Sequence, residues 1–103
     1  MGKPGETIVV RIDPDLKELI PNYLNNRQKD MQAVLAALNK KDFETIRNLG
    51  HSMKGSGGGY GFDAISQIGC DLEQAAREGK SEGIMKSIDE LGSYLDRVEV
   101  VSE

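Results

Sequence analysis

Several residue types that bind metals or form cross-links are scarce in this chain. The sequence of 103 residues contains one cysteine, one histidine and no tryptophan. The single cysteine, Cys70, cannot form a disulfide within the chain, and one histidine with one cysteine does not make a zinc-binding set. We therefore expect no metal ion to bind this chain, and we expect Cys70 to be chemically inert.

Long apolar runs and clusters of basic residues are also missing from the sequence. No stretch approaches the roughly 20 apolar residues that a membrane span needs, and the first letters, MGKPGE, lack the apolar core of a signal peptide. The 13 basic and 17 acidic residues give a net charge of -4, without the Lys/Arg cluster that is typical of nucleic-acid binding. We expect a cytoplasmic protein that binds neither membranes nor nucleic acid.

Four segments of the sequence have the apolar periodicity of amphipathic helices. The first should run from the proline-containing segment after Asp13 to about Asn39. Asp42 can cap the second helix, Gly79 can end the third, and Ser81 can cap the fourth. The positions predicted to face the core are Ile20, Leu24, Met31, Val34, Leu35, Leu38, Phe43, Ile46, Leu49, Met53, Phe62, Ile65, Ile68, Gly69, Leu72, Ala75, Ala76, Ile84, Ile88, Leu91, Leu95 and Val98.

The connections between these segments are only a few residues long, which favours antiparallel neighbours within one domain. We predict an all-α fold, an up-down-up-down antiparallel four-helix bundle at residues 13–99. The β-branched segment ETIVVRI has no evident partner strand. Residues 1–12 are therefore predicted to form a short extended N-terminal arm that the bundle does not need, and residues 100–103 a C-terminal tail.

The only histidine, His51, lies in the second predicted helix, within the stretch GHSMKGSGGGYGF. Each helical residue turns the chain by about 100°, so Ile46, Leu49 and Met53 lie roughly 140–220° away from His51. His51 is therefore expected to point outwards. The residues predicted to share its face are Glu44, Arg47, Asn48, Lys54, Gly55 and Gly58.

This outward face has the chemistry needed to carry phosphate. An exposed neutral imidazole is a nucleophile near pH 7, and the Lys54 ammonium one turn away can neutralise phosphoryl oxygens. Gly55 and Gly58 leave bare backbone where a large partner can approach. The alternatives are a solvated surface histidine and a flexible loop between the second and third helices. Nucleotide binding is not indicated, because Lys54 precedes the glycines instead of following them as in a P-loop.

The letters HSMKGSGGGYGF, followed by DLEQAAREG, resemble the histidine phosphotransfer (HPt) domain of bacterial multistep phosphorelays over about residues 13–98. The resemblance implies a phosphate on His51, a phosphate-side cation at Lys54, and reversible exchange with an aspartate of a receiver domain. Gly55 and Gly58 would then admit the partner, and Gly61 matches the glycine that opens the third helix.

The same resemblance implies a phosphocarrier without an ATP-binding site rather than an enzyme. No cofactor is expected on this chain, because the Mg²⁺ of the reaction would belong to the receiver. The expected partners are receiver domains of response regulators, with a hybrid histidine kinase as a further candidate. We expect a monomer that contacts them through Arg47, Asn48, Gly55 and Gly58.

Two other classes of function stay open from the sequence. The first is a helical adaptor that docks receiver domains through the same face without transfer, although docking alone does not require His51 and Lys54. The second is an unrelated metal or acid/base enzyme, which would need a second ligand or base within motif reach of His51. Glu73 could supply a carboxylate for acid/base work, but the favoured interpretation is a charged helix flank in which Glu73 pairs with Arg77 at i+4.

Overall fold

The computed structural model describes residues 6–102, and these form four α-helices, one 3₁₀ helix and two β-strands. The elements in chain order are strand β1 Ile8–Ile12, the 3₁₀ helix Pro14–Leu19, helices α1 Ile20–Asn39, α2 Phe43–Gly59, α3 Asp63–Arg77 and α4 Ser81–Arg97, and strand β2 Val98–Ser102. The helices pack as a four-helix bundle. The three-residue connections at 40–42, 60–62 and 78–80 are compatible with the predicted up-down-up-down order. Among residues 6–102, the helices are too short or too polar to cross a membrane.

The ends of the helices follow largely from local side-chain chemistry. Asp42 caps α2 as predicted, because its carboxylate accepts hydrogen bonds from the Thr45 amide at 3.2 Å and the Thr45 hydroxyl at 2.6 Å. Gly79 follows the last turn of α3 with a φ of +65°, a left-handed conformation that suits glycine. The prediction that Ser81 caps α4 is wrong, since Ser81 is the first helical residue and Lys80 occupies the cap position.

All four helices contribute large apolar side chains to one core. The largest fully buried side chains are Val34, Ile46, Met53, Phe62, Ile65, Leu72, Ile84 and Leu91. Each of these eight positions lies on a predicted apolar stripe, so the periodicity correctly identified the inner faces of the helices.

The N-terminal segment does have a partner strand, contrary to the prediction. Strands β1 and β2 pair in parallel, with Ile8 opposite Val98 and Ile12 opposite Ser102. Helix α4 therefore ends at Arg97, and Val98 belongs to a strand rather than to the helical seam. An isolated two-stranded sheet is only marginally stable, but here Ile12 is buried in the core. Residues 1–5 of the predicted arm and 103 of the predicted tail lie outside the described residues.

Helices α2 and α3 approach each other until their backbones touch. A Cβ atom added to Gly50 would lie 2.7 Å from the Glu73 amide nitrogen, and one added to Gly69 would lie 2.5 Å from the Lys54 amide nitrogen. Only residues without a side chain can occupy these positions at this helix spacing. This close approach places one edge of α3 directly beside the outward face of α2.

Candidate functional site

His51 lies near the middle of α2 with its ring directed to solvent. Its side chain is 70% exposed, whereas Ile46 and Met53 on the opposite side of the helix are buried in the core. This is the orientation that the helical periodicity predicts. The imidazole is therefore accessible to another macromolecule.

Glu73 of α3 bridges the two polar residues that the sequence singled out on α2. Its Oε2 atom lies 3.1 Å from His51 Nδ1, and its Oε1 atom accepts a hydrogen bond from Lys54 Nζ at 3.2 Å. The Glu73 side chain is only 12% exposed, against 43% for Lys54. The site is thus a histidine and a lysine from one helix joined by a carboxylate from the next.

Sequence reasoning missed this role of Glu73. The predicted pair with Arg77 is present, but it is the looser contact, with Arg77 Nη2 3.6 Å from Glu73 Oε2. The sequence feature that could have revealed this role is Gly69, which lies one turn before Glu73 on the same face of α3. A glycine there permits close helix contact, and that contact brings Glu73 to His51.

The electrostatics of the site favour an ionised Glu73. Burial of the carboxyl acts to raise its pKa, but the hydrogen bond and charge of Lys54, together with those of His51, outweigh burial and hold the pKa of Glu73 below its usual value. An ionised carboxylate can only accept hydrogen bonds, so the hydrogen in the contact with His51 must lie on Nδ1. In the neutral ring, Nε2 then carries the lone pair and is the nucleophilic nitrogen.

The sequence predicts that a partner approaches beside His51, over Gly55 and Gly58, where α2 carries no side chains. Among the described residues, no atom of a neighbouring element lies within 4 Å of a Cβ placed on Gly55, and Ser66 Oγ at 4.0 Å is the nearest to one on Gly58. Arg47 and Asn48 are exposed one turn before His51. The structure therefore brings the predicted partner-facing residues together on one accessible face.

The glycine-rich second half of α2 is held in place by α1. Glycines are unfavourable in helices by about 1 kcal/mol each relative to alanine, so this half needs support from outside the helix. Ser56 provides it, because its hydroxyl lies 3.1 Å from the Tyr23 hydroxyl and accepts a hydrogen bond from Arg27 Nη1 at 3.1 Å. The Tyr23 ring also stacks on Tyr60 with centroids 4.4 Å apart.

Two further residues from the sequence analysis, Gly61 and Cys70, lie outside the cluster of His51, Lys54 and Glu73. Gly61, in the turn before α3, has a φ of +87°, which explains the requirement for glycine there. Cys70 is an exposed free thiol on α3. Within the part of the chain that the structure describes, no three His, Cys, Asp or Glu side chains are grouped as a metal site would need.

Comparison with known proteins agrees with this geometry. The family model of the Hpt domain matches residues 18–100. No curated protein and no solved structure matches the chain. Hpt domains are phosphocarriers that take part in histidine phosphotransfer and interact with the receivers and kinases of phosphorelays. The match extends over most of the sequence, including all of α1–α4, and the chain belongs to the Hpt domain family.

Proposed function

We propose that His51 accepts a phosphoryl group from the aspartyl phosphate of one receiver domain and passes it to the aspartate of another. The observation that carries this proposal is the contact between His51 Nδ1 and the ionised Glu73, on a ring that is otherwise exposed. A solvated surface histidine needs no such partner. The contact leaves Nε2 with the lone pair that phosphoryl transfer requires.

The transfer step uses Nε2 as the nucleophile. Its lone pair forms a bond to phosphorus while the bond between phosphorus and the aspartate oxygen breaks, and the electron pair of that bond leaves with the aspartate carboxylate. The phosphorylated ring keeps its hydrogen on Nδ1 and carries a positive charge. Glu73, already within 3.1 Å of Nδ1, stabilises that charge. Transfer to the next receiver is the reverse of these bond changes.

Lys54 acts on the phosphoryl group and Glu73 acts on the ring. The ammonium of Lys54 is partly exposed beside His51 and can turn towards the phosphoryl oxygens that gather at Nε2. Its bond to Glu73 restrains it near the site before transfer. Glu73 is thus a positioning residue, while His51 and Lys54 contact the transferred group.

The partner docks as a receiver domain on a monomer of this chain. Gly55 and Gly58 let its surface come close to the ring, and Arg47 and Asn48 contact it one turn away. The Mg²⁺ ion and most of the electrostatic stabilisation of the transition state come from the receiver, and this chain needs neither ATP nor a cofactor.

The test is a transfer assay with phosphorylated receiver domains from the same genome. The parent protein should gain a phosphate that is labile in acid, with ³¹P and ¹⁵N NMR assigning it to Nε2 of His51. His51→Gln should remain a helical bundle by circular dichroism and gain none, and Lys54→Ala should transfer more slowly with little change in melting temperature.

The same assay separates transfer from docking alone. If the protein were only a helical adaptor, the parent itself would bind receivers without ever becoming labelled, and His51→Gln would bind them with the same affinity. Labelling of His51→Gln at the parental level would exclude His51 as the acceptor.

A further inference from the structure

At three glycines, the contact between α2 and α3 is made by backbone atoms. A Cβ on Gly69 would lie 2.5 Å from Lys54 N and 2.7 Å from Gly50 O, and one on Gly57 would lie 2.5 Å from Ser66 N. Ser66 Oγ also donates a hydrogen bond of 2.7 Å to the Lys54 carbonyl across the same interface. The spacing of these two helices is therefore limited by their main chains.

This interface lies directly beneath the proposed phosphate site. Gly50 precedes His51 in α2, and a Cβ on Gly50 would meet the Glu73 backbone at 2.7 Å. Gly69 lies one turn before Glu73 in α3 and abuts the backbone of Lys54. The backbone contacts thus lie at or next to the residues that carry the three polar side chains of the site.

Gly92 of α4 is a matched control, because at its helix contact it faces the end of a flexible side chain rather than backbone. A Cβ on Gly92 would lie 3.1 Å from the flexible end of the Met31 side chain in α1. A methyl group at Gly92 can be accommodated by a small shift of the Met31 side chain. At Gly69 the obstructing atoms are main-chain atoms of α2, so α2 and α3 must separate.

We infer that Gly69 is a positioning residue for His51. By permitting backbone contact between α2 and α3, it sets the distance from Glu73 to the imidazole and so selects the ring form with hydrogen on Nδ1. This inference rests on the proposed function, and it assigns a role in the transfer chemistry to a residue that touches neither the ring nor the phosphate.

The expected displacement is large enough to break the contact. Ordinary van der Waals contact of a Cβ begins at 3.4 Å, so an alanine that starts 2.5 Å from Lys54 N pushes the helices apart by about 0.9 Å if nothing else yields. The separation between His51 Nδ1 and Glu73 Oε2, now 3.1 Å, would then exceed hydrogen-bonding range. The preference for hydrogen on Nδ1 should be lost with it.

The experiment compares the ring nitrogens of His51 by ¹⁵N NMR in the unphosphorylated parent, Gly69→Ala, Gly92→Ala and Glu73→Ala proteins. The parent should have hydrogen mainly on Nδ1 when the ring is neutral. Gly69→Ala should shift towards the tautomer mixture of Glu73→Ala, while Gly92→Ala, which alters the contact between α4 and α1, should resemble the parent. Phosphoryl transfer from a receiver should slow by about 10–100-fold in Gly69→Ala and stay within about twofold in Gly92→Ala.

A folded Gly69→Ala protein with the parental tautomer and rate would overturn the inference. If it does not fold, Gly50→Ala, which adds the methyl group from the α2 side, is measured in its place. Failure of both variants to fold would also overturn it, since the glycines would then serve stability rather than ring geometry. The tautomer measurement needs no receiver, so a parent protein that is never phosphorylated contradicts the proposed function without affecting this result.

Discussion

The interface between α2 and α3 differs in kind from the side of the molecule where α3 meets α4. At the first interface, glycines allow main chains to touch. At the second, the helices bring large buried side chains such as Leu72, Ile84 and Leu91 into the shared core. An open groove of about 970 Å³ also lies between α3 and α4, and its lining includes Ile68, Met85 and Tyr94.

The difference shows how one bundle can combine a core that tolerates changes of side-chain volume with a polar site whose distances are fixed. Side-chain packing can adjust to a changed volume by repacking, at some loss of stability. Backbone contact has no such freedom, so it sets the separation of polar groups on either side. The His51, Lys54 and Glu73 cluster lies along the rigid interface, which is where a hydrogen bond between two helices can be kept at 3.1 Å.

The largest expected effect comes from removing a side chain on the α4 side. Leu91→Ala should destabilise the protein by about 2–5 kcal/mol, because a fully buried leucine leaves a cavity. The His51 tautomer should nevertheless remain that of the parent, since α2 and α3 keep their contact. Urea unfolding and ¹⁵N NMR on the same sample test both statements. A change of tautomer in the folded variant would mean that the two interfaces are not independent.

Replacing either of two neighbouring glycines of α2 by alanine should change the free energy of unfolding, but in opposite directions. Gly57→Ala should lower stability by about 1–3 kcal/mol, because its methyl group would collide with the Ser66 backbone. Gly58→Ala should raise stability by up to about 1 kcal/mol, because its nearest contact is Ser66 Oγ at 4.0 Å and alanine favours the helix. Thermal unfolding of the two variants measures the contrast, and equal effects would contradict the close approach at Gly57.

A larger side chain at Gly58 should impair docking of the receiver without impairing the fold. Gly58→Leu should keep the helical fold, yet weaken receiver binding and slow transfer to His51, because leucine would project onto the partner-facing surface. Calorimetric binding and transfer rates on the folded variant test this. Transfer at the parental rate would show that no partner approaches over Gly58.

The smallest expected effect is on the pH dependence of stability. The pKa of Glu73 is lowered in the folded protein from 4.5, so its contacts stabilise the protein above that pH and the stabilisation is lost as the pH falls through the lower folded value. The melting temperature of the parent should therefore decline more than that of Glu73→Gln between about pH 6 and about pH 3. The control variant Glu90→Gln, which removes an exposed carboxyl on α4, should show the same decline as the parent. If the melting temperature depended on pH in the same way in all three proteins, the Glu73 contacts would not contribute to stability.

The helices were predictable from the sequence because their signals are local. Apolar spacing identified the inner faces that contain Ile46, Leu72 and Leu91, and the Asp42 cap is set by the amide of Thr45 three residues away. The outward direction of His51 follows from the same periodicity. Each of these inferences requires only the geometry of a single helix.

The strands were not predictable in the same way. The segment at 98–102 continues the apolar spacing of α4, and its partner at 8–12 comes from the other end of the chain. Ile12 is buried in the core, so the N-terminal segment packs against the bundle. That the bundle folds without this segment stays a prediction, which deletion of residues 1–12 would test.

The sequence by itself determined four amphipathic helices and one exposed nucleophile on the second of them, because side-chain direction within a helix depends only on residue number. The tertiary structure alone decided which carboxylate meets that nucleophile. Glu73 reaches His51 because the main chains of α2 and α3 touch at Gly50 and Gly69. The axial offset and spacing of two helices depend on how their surfaces pack, and no periodicity within either helix contains that information.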